Sequence, residues 1–373
     1  MIFAIITHVP HSTSQSEYFA YAPYVREMNL WLKHVDEVLI VAPKTKKMPS
    51  AIDMAYKYKN IQFHKIPSIQ FTSLKSSLSS VIKLPIIVWA IFKACKRADH
   101  IHLRCPGNMG LLGCFVQMLF PKKPKTAKYA GNWDPKAKQP LSYKLQKWIL
   151  SNTFLTKNIQ VLVYGNWENQ TKNIKPFFTA TYSNSEIEKP RPRDYSNELK
   201  FAFVGSLVEG KRPLLAIQIV EALQNKGKRV RLDVYGDGVL REVLQEYISR
   251  NSLEKFIKLH GNKEKTIVKD ALKSTHFLML LSKSEGWPKA VAEAMFFGTI
   301  PITTSVSCIP FMLNEAERGV MIKPELTSAL IQINKAINNE ASLKMMSKLA
   351  SNWSQHYTLE VFDEEIYKLL RKV

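Results

Sequence analysis

The stretch "KFAFVGSLVEGKRPLLAIQIVEALQNKGKRVRLDVYGDG", residues 200–238, contains one full cycle of a repeating architecture. An apolar run ends at Gly205. A helical pattern runs from Pro213 to a closing glycine, Gly227, and a second apolar run ends at Gly236. Proline suits the first turn of a helix, and glycine suits the residue just past its end. Strand, helix and strand in that order imply a parallel pair, because the helix carries the chain back to the same starting edge. The cycle continues downstream, with "FIKLHG", "HFLMLLS" and "TIPITT" as strands and "VLREVLQEYISRN", "TIVKDALKS" and "PKAVAEAMFFG" as helices. Upstream, "IFAIITHV", "EVLIVAP", "IQFHKIP", "HIHLRC", "KTAKYAG" and "QVLVYG" read as buried strands separated by helical stretches.

This alternation predicts an α/β protein with two Rossmann-like, doubly wound domains. The length, 373 residues, suits two cores of roughly 150–200 residues each. The polar segment "SNSEIEKPRPRDYSNE" (183–198) carries two prolines and no apolar period, and reads as the linker. The expected domains are therefore 1–190 and 198–356, followed by an amphipathic last segment, 357–373. No apolar run reaches the roughly 20 residues that a bilayer span needs; the longest, "LPIIVWAIF" (84–92), stops short. The N-terminus lacks the basic start and cleavage site of a signal peptide, so a cytoplasmic location is expected. Four scattered cysteines without a C-x-x-C read as reduced core residues.

Charge is asymmetric. Residues 1–195 hold 28 basic and 11 acidic residues, net +17; residues 196–373 hold 25 and 20, net +5, which together make the chain's +22. The first half should face something anionic, such as a membrane surface, a nucleic acid or a phosphorylated substrate. Glycine is asymmetric too. The first glycine of the chain is Gly107, and nine of the fourteen fall between Gly205 and Gly319, several at strand ends. Close approach of backbone amides to a phosphate favours glycine there, so the second domain is the expected nucleotide binder.

Four motifs follow in the second half. In "FVGSLVEGKRP" (203–213), Gly205 and Ser206 end a strand, and Lys211 and Arg212 precede a helix, an arrangement that suits a diphosphate but equally a plain turn with solvated charges. "VYGDGVL" places Gly236 at a tight turn. "LHGN" places His260, Gly261 and Asn262 at another strand end, where backbone groups could frame a base. "SEGWPKAVAEAM" (284–295) places Glu285 at the end of a strand, then Gly286, Trp287, Pro288, Lys289 and Ala290 around a helix start, with Glu293 inside the helix. The amides of that first turn favour anionic oxygens. One carboxylate could hold sugar hydroxyls and the other a ribose; taken alone, the pair equally fits an acid on the helix dipole and a solvated glutamate.

The order and spacing of these pieces resemble the retaining nucleotide-sugar glycosyltransferases of the GT-B fold, glycosyltransferase family 4 (glycosyl transferases group 1), most specifically over about 200–320. The resemblance implies two domains facing a cleft and a last helix crossing back to the first domain. It also implies donor binding by the C-terminal domain without a metal or other cofactor. It assigns Glu285 to the transferred sugar, Glu293 to the ribose, the 286–290 amides to sugar and phosphate, and Lys211 to the diphosphate, with Glu285 and Lys211 also in catalytic roles. Three departures stand out. Ser206 replaces a basic residue. "SVSC" (305–308) replaces a glycine-rich segment before Pro310. Asn132 and Asp134 stand where the family commonly has a catalytic histidine, and they become the candidates for that role.

The implied activity is transfer of a sugar from a nucleotide-diphosphate-sugar to a glycan acceptor, which could be lipid-linked, with retention, in cell-surface polysaccharide synthesis. The absence of Asp-x-Asp argues against a metal-dependent alternative fold. Acceptor candidates in the first half are His8, His11, Tyr18, Arg26, Arg104 and Asn108, each also a plausible packed loop residue. The stretch 121–147 has eight lysines and one acid, with Leu141 and Trp148 among or beside them, which suits peripheral docking on the anionic inner face of a membrane, or a solvated face. Two other readings remain open: a nucleotide-sugar 2-epimerase of the same fold, and a non-enzymatic basic protein binding membrane or nucleic acid. No RNA-binding signature is visible, so nucleic acid is not an expected partner.

Overall fold

The computed structural model describes residues 1–50, 52–69 and 74–371. The chain divides into two compact units, 1–178 with 362–373, and 179–361.

In the first unit, seven strands form a parallel sheet: β1 (Ile2–Ile6), β4 (Glu37–Pro43), β6 (Ile61–Ile66), β7 (His100–Cys105), β8 (Lys125–Tyr129), β9 (Ile159–Tyr164) and β10 (Ile174–Phe177). Their order is β10-β9-β8-β7-β1-β4-β6. A small antiparallel sheet, β2 (Ser12–Ser14), β3 (Glu17–Tyr21) and β5 (Asp53–Ala55), lies in the loops after β1 and β4. Its sequence has no long apolar alternation, and neither it nor β10 was legible in advance. The helices are α1 (Ala22–Trp31), α2 (Leu74–Arg97), α3 (Asn108–Val116) and α4 (Leu141–Ser151). Crossovers β6-α2-β7, β7-α3-β8 and β8-α4-β9 all run in one direction across the sheet, and β1-α1-β4 runs in the other. Right-handed connections therefore put α2, α3 and α4 on one face and α1 on the opposite face.

The second unit has a six-stranded parallel sheet in the order β13-β12-β11-β14-β15-β16. Its strands are β11 (Leu199–Val204), β12 (Val230–Tyr235), β13 (Ile257–Gly261), β14 (Phe277–Leu280), β15 (Ile300–Thr304) and β16 (Val320–Ile322). The helices are α5 (Pro213–Asn225), α6 (Arg241–Arg250), α7 (Lys265–Ser274), α8 (Lys289–Phe296), α9 (Ile309–Leu313), α10 (Leu326–Ile337) and α11 (Glu340–Ser354). Fully buried Phe201, Phe203, Ile217, Val220, Phe277 and Met279 join sheet and helices in one core. The last helix, α12 (Leu359–Arg371), joins the first unit from Phe362 onward, where the Phe362 ring lies 5.4 Å from Phe177 and 5.5 Å from Phe178. There Asp363 accepts from Lys33 Nζ at 3.1 Å and lies 3.0 Å from His34 Nε2.

Two sequence expectations change. The chain passes between units at 178/179, ahead of the polar segment 183–198. That segment is tied into the second unit: buried Arg193 donates to the carbonyls of Thr275 (2.7 Å) and Phe297 (2.8 Å) and to Thr299 Oγ1 (3.2 Å). A polar sequence reads as a linker, yet a guanidinium with five donors can fasten it across several helix ends. Second, the stretch Leu78–Arg97 is long and apolar enough to cross a bilayer by length and composition. Counting only the uninterrupted run 84–92 hid this, because Lys83 and small polar residues break the run without lowering the overall apolar character. All four cysteines are free and buried, as expected.

Candidate functional site

The strand order of the second unit reverses at β11, whose neighbours are β12 on one side and β14 on the other. The loops after β11 and β14 therefore leave toward opposite faces of the sheet and open a crevice at its carboxyl edge, the place where open α/β sheets bind ligands. Residues 205–212 form one wall and residues 281–288 the other. The walls are tied at their base: the Lys283 amide donates to the Gly210 carbonyl at 2.8 Å.

Glycine is required in the loop after β12, which packs on the first wall, for a physical reason. Gly236 sits at φ 139°, and a Cβ there would come within 1.9 Å of the Gly205 carbonyl oxygen. Gly238 is as tight, its Cβ position lying 2.5 Å from the Leu207 oxygen. The backbone crosses so closely that the amides of Gly205, Leu207 and Gly236 donate to Tyr235, Asp237 and Gly261, each at 2.9 Å. These glycines thus serve loop-to-loop packing. Gly205 itself, at φ 156°, has nothing closer to its Cβ position than Phe203 at 3.9 Å, so it leaves open space at the mouth beside exposed Ser206.

Across the crevice, Lys211 Nζ forms an ion pair with Glu285 Oε1. The carboxylate side chain is only 10% exposed and the lysine 26%. Arg212 adopts the left-handed conformation at φ 52°, and its guanidinium donates to the Leu281 carbonyl at 2.9 Å. It therefore braces the end of β14, with other donors of its fork remaining for a ligand. After Glu285 the chain turns through Gly286, whose carbonyl accepts from Ser307 Oγ and Cys308 Sγ, both at 3.2 Å. The divergent "SVSC" segment is thus the brace of this turn, and burial pushes the Cys308 thiol up to about 12. Pro288 precedes α8, whose first turn, beginning at Lys289 and Ala290, directs its backbone amides toward the N-terminal end of the helix. Trp287 is not a wall of the site. Its ring is buried against Trp353 (6.1 Å) and Tyr357 (5.7 Å), so only its backbone belongs to the turn. Further along α8, Glu293 Oε1 accepts from Thr181 Oγ1 at 2.8 Å. Thr181 carried no sequence signal, because only the fold brings it within reach of α8, 112 residues away. His260 has its side chain committed: Nε2 lies 2.7 Å from Asp233 Oδ1, and the ring stacks on Tyr235 at 4.6 Å. Asn262 is exposed beyond the end of β13.

In the first unit the reversal is at β1, between β4 and β7. His8 follows β1 at the surface, and its Nδ1 lies 3.0 Å from where a Cβ on Gly107 would be. Loss of water around the ring, and then the Arg104 charge, lower its pKa. Asn108 starts α3 beside it, half-buried. Of the other acceptor candidates, Arg104 and His11 are engaged by internal partners. Arg104 is buried and paired with Glu27 of α1, its Nη1 2.5 Å from Oε1. His11 is fully buried, with Nδ1 2.8 Å from the Val9 carbonyl and Nε2 2.8 Å from Tyr56 Oη. A carbonyl can only accept, so Nδ1 carries the proton and Tyr56 donates to Nε2. Burial lowers the His11 pKa to about 4. Tyr18 stacks on Phe63 at 5.1 Å, and Arg26 is exposed on α1.

Asn132 and Asp134, offered in place of a catalytic histidine, form a local turn. Asn132 Oδ1 accepts from the Asp134 amide at 2.9 Å, and Asp134 Oδ1 accepts from the Lys136 amide at 2.8 Å. The eight lysines of 121–147 also divide. Lys123 Nζ donates to the carbonyls of Cys95 (2.9 Å) and Lys96 (2.7 Å) at the end of α2; buried Lys125 donates to Phe120 at 2.7 Å; buried Lys128 donates to Phe178 at 3.0 Å; and Lys147 donates to Asp134 at 3.2 Å. Burial lowers Lys125 and Lys147 to about 8. Only Lys122, Lys136, Lys138 and Lys144 are exposed. Among the described residues no three His, Cys, Asp or Glu side chains cluster as a metal site.

Residues 184–353 match the family model described as Glycosyl transferases group 1. An uncharacterized glycosyltransferase of Methanocaldococcus jannaschii is 26% identical over 172 residues, covering 45% of this chain and 42% of that protein. The putative colanic acid biosynthesis glycosyltransferase WcaL of Escherichia coli K12 is 27% identical over 192 residues, covering 49% and 47%. The chain thus spans less than half the length of these curated relatives. Among solved structures, the lipopolysaccharide outer core galactosyltransferase WaaB superposes with a TM-score of 0.70 at 15% identity, over 99% of both chains. Anabaena HepE in complex with UDP superposes with a TM-score of 0.67 at 14% identity, over 100% of both. At such identities the likeness concerns the fold, the two-domain architecture of GT-B glycosyltransferases.

Proposed function

We propose that this chain is a retaining glycosyltransferase of family 4 type, whose second unit binds a nucleotide-diphosphate-sugar at the β11–β14 crevice. The observation that carries the reading is the Lys211–Glu285 pair across that crevice, beside the first turn of α8. The group 1 family match covers the same region. A cation and a helix N-terminus side by side suit a diphosphate, and a nearby carboxylate suits the hydroxyls of a sugar. In the reaction, the bond from the anomeric carbon to the diphosphate oxygen breaks and a bond to an acceptor hydroxyl forms on the same face. The acceptor proton passes to the departing phosphate oxygen. Lys211 and the α8 amides stabilise the charge that collects on the diphosphate; one such donor is typically worth roughly 3–4 kcal/mol in the transition state. Glu285 orients the sugar and, without ligand, holds Lys211 extended. Glu293, fastened by Thr181, faces the ribose. The acceptor is a glycan, lipid-linked in our reading, and no metal takes part.

Titration calorimetry of the full chain against UDP, GDP and ADP tests this. Binding of one diphosphate, weakened at least about tenfold in Lys211→Ala, is expected. Absence of binding by all three would overturn the reading. With donor and acceptor together, the product's anomeric configuration decides retention, and epimerised donor without transfer would favour a 2-epimerase instead.

A further inference from the structure

The inner side of α2 is core: Ile87, Ile91, Ala94 and Cys95 are buried against the sheet of the first unit. Its outer side is also apolar. Leu78, Ile82, Ile86 and Trp89 recur at three- to four-residue spacing, so they share one face, and Ile82 and Trp89 are 70% and 57% exposed. Within the stretch Leu78–Arg97 only Ser80, Ile87, Ile91, Ala94 and Cys95 are buried. A helix with apolar stripes on both its buried and its exposed side leaves the outer stripe in need of an apolar partner. A stripe this long exceeds the scattered single exposures that surfaces ordinarily carry.

The rest of that helical layer shares the property. On α4, Leu141, Leu145 and Trp148 follow the same spacing, with Leu141 82% exposed. No aspartate or glutamate occurs in α2, α3 or α4, while α2 alone carries Lys75, Lys83, Lys93, Lys96 and Arg97. Lys93 Nζ lies 5.2 Å from the Trp89 ring centroid, a lysine beside an interfacial aromatic. By contrast, α1 on the other face carries Glu27, paired with Arg104, and the part of α12 that joins this unit carries Asp363, Glu364 and Glu365.

We infer that the outer face of the α2–α4 layer docks in the plane of an anionic lipid bilayer, with α2 seated at the level of the headgroups. The charge selects lipid over another copy of the chain: a cationic, acid-free face repels itself and attracts phospholipid. The apolar stripe supplies the seating, as in amphipathic interfacial helices. In-plane docking also keeps the buried half of α2 in the core, which a transmembrane passage would have to expose. The lysine-rich stretch 121–147 contributes only through its four exposed members. This inference stands apart from the proposed activity.

The test is flotation of the full chain with vesicles of phosphatidylcholine alone or with 30% phosphatidylglycerol, the latter composition being about that of an anionic membrane leaflet. Wild type should float with the anionic vesicles and, in part, still do so at high salt. Ile82→Ser with Ile86→Ser, both exposed positions, should reduce partitioning at least about tenfold, with an unchanged circular dichroism melt. No flotation of wild type, equal flotation of the variant, or flotation lost entirely with salt would each overturn the inference. Resistance to alkaline carbonate extraction would overturn it in favour of a span. Sedimentation velocity showing a wild-type dimer that the variant dissolves, without lipid binding, would make the face a self-association surface instead.

Discussion

At position 236 a single methyl group decides whether the candidate site can form. The Gly236 Cβ position overlaps the Gly205 carbonyl at 1.9 Å, and backbone on both sides is locked by strand pairing. Gly236→Ala must therefore push β11 and β12 apart at their carboxyl ends. A loss of at least about 2 kcal/mol in stability of the second unit is expected, read as a lowered denaturant midpoint. An unchanged midpoint would mean that the loops relax freely. The sequence marked Gly236 as a turn with ligand proximity; its cause is the neighbouring loop. His260, Arg104 and His11 illustrate the same limit from the other side. Each is a chemistry-bearing residue at a strand end or in an adjoining loop, as the sequence suggested. Yet each has its polar atoms bound to Asp233, Glu27, or Val9 and Tyr56, partners from 2 to 77 positions away. Residue type and spacing do not encode which way such a side chain turns.

At the scale of elements, α8 joins the two carboxylates whose spacing drew attention in the sequence. Glu285 lies before the helix and Glu293 within it, and the structure gives them different partners, Lys211 and Thr181. Glu293→Ala should weaken nucleotide affinity by roughly tenfold, the size of one charge-assisted hydrogen-bond set. Thr181→Val should have a smaller effect in the same direction, since it removes only the group that orients the carboxylate. Calorimetry on folded variants checks both; equal affinity of Glu293→Ala and wild type would remove Glu293 from the ribose role. The strand–helix alternation that positions α8 was plain in the sequence. The short strands β2, β3, β5, β10 and β16 were not, because three to five residues carry too little period to read.

For the whole molecule, two predictions follow from composition and burial. Burial keeps several histidines neutral: His11 and His276 with pKa lowered to about 4, His100 to about 3, and His102 well below its usual value. The unfolded chain binds a proton at each near pH 6.5, whereas the folded chain does not. Stability is therefore full above pH 6.5 and falls as pH drops toward 4, with a slope approaching about 1.4 kcal/mol per pH unit for each histidine. Thermal melts from pH 7.5 to 4.5 should show this, and His11→Gln should flatten the slope; a flat profile in wild type would contradict it. The second prediction belongs to the proposed mechanism, in which Lys211 and the α8 amides would supply the positive charge: with no Asp-x-Asp in the chain, sugar transfer should persist in EDTA. Loss of activity on chelation, restored by Mn²⁺, would contradict that mechanism.

Period, spacing and composition specify the parallel, doubly wound character of both units, the placement of several glycines and Glu285 at strand ends with Lys211 in a loop and Glu293 in a helix, and the excess of positive charge in the first half. These are properties of period, local backbone preference and composition, which need no knowledge of distant contacts. Packing sets the rest: which of the eight lysines of 121–147 are exposed, that 183–198 is fastened into the second unit by Arg193, and that α2 carries an apolar stripe on its outer as well as its inner face. Burial, pairing and exposure depend on what packs against a residue from elsewhere in the chain, and no local pattern of residue types specifies that partner.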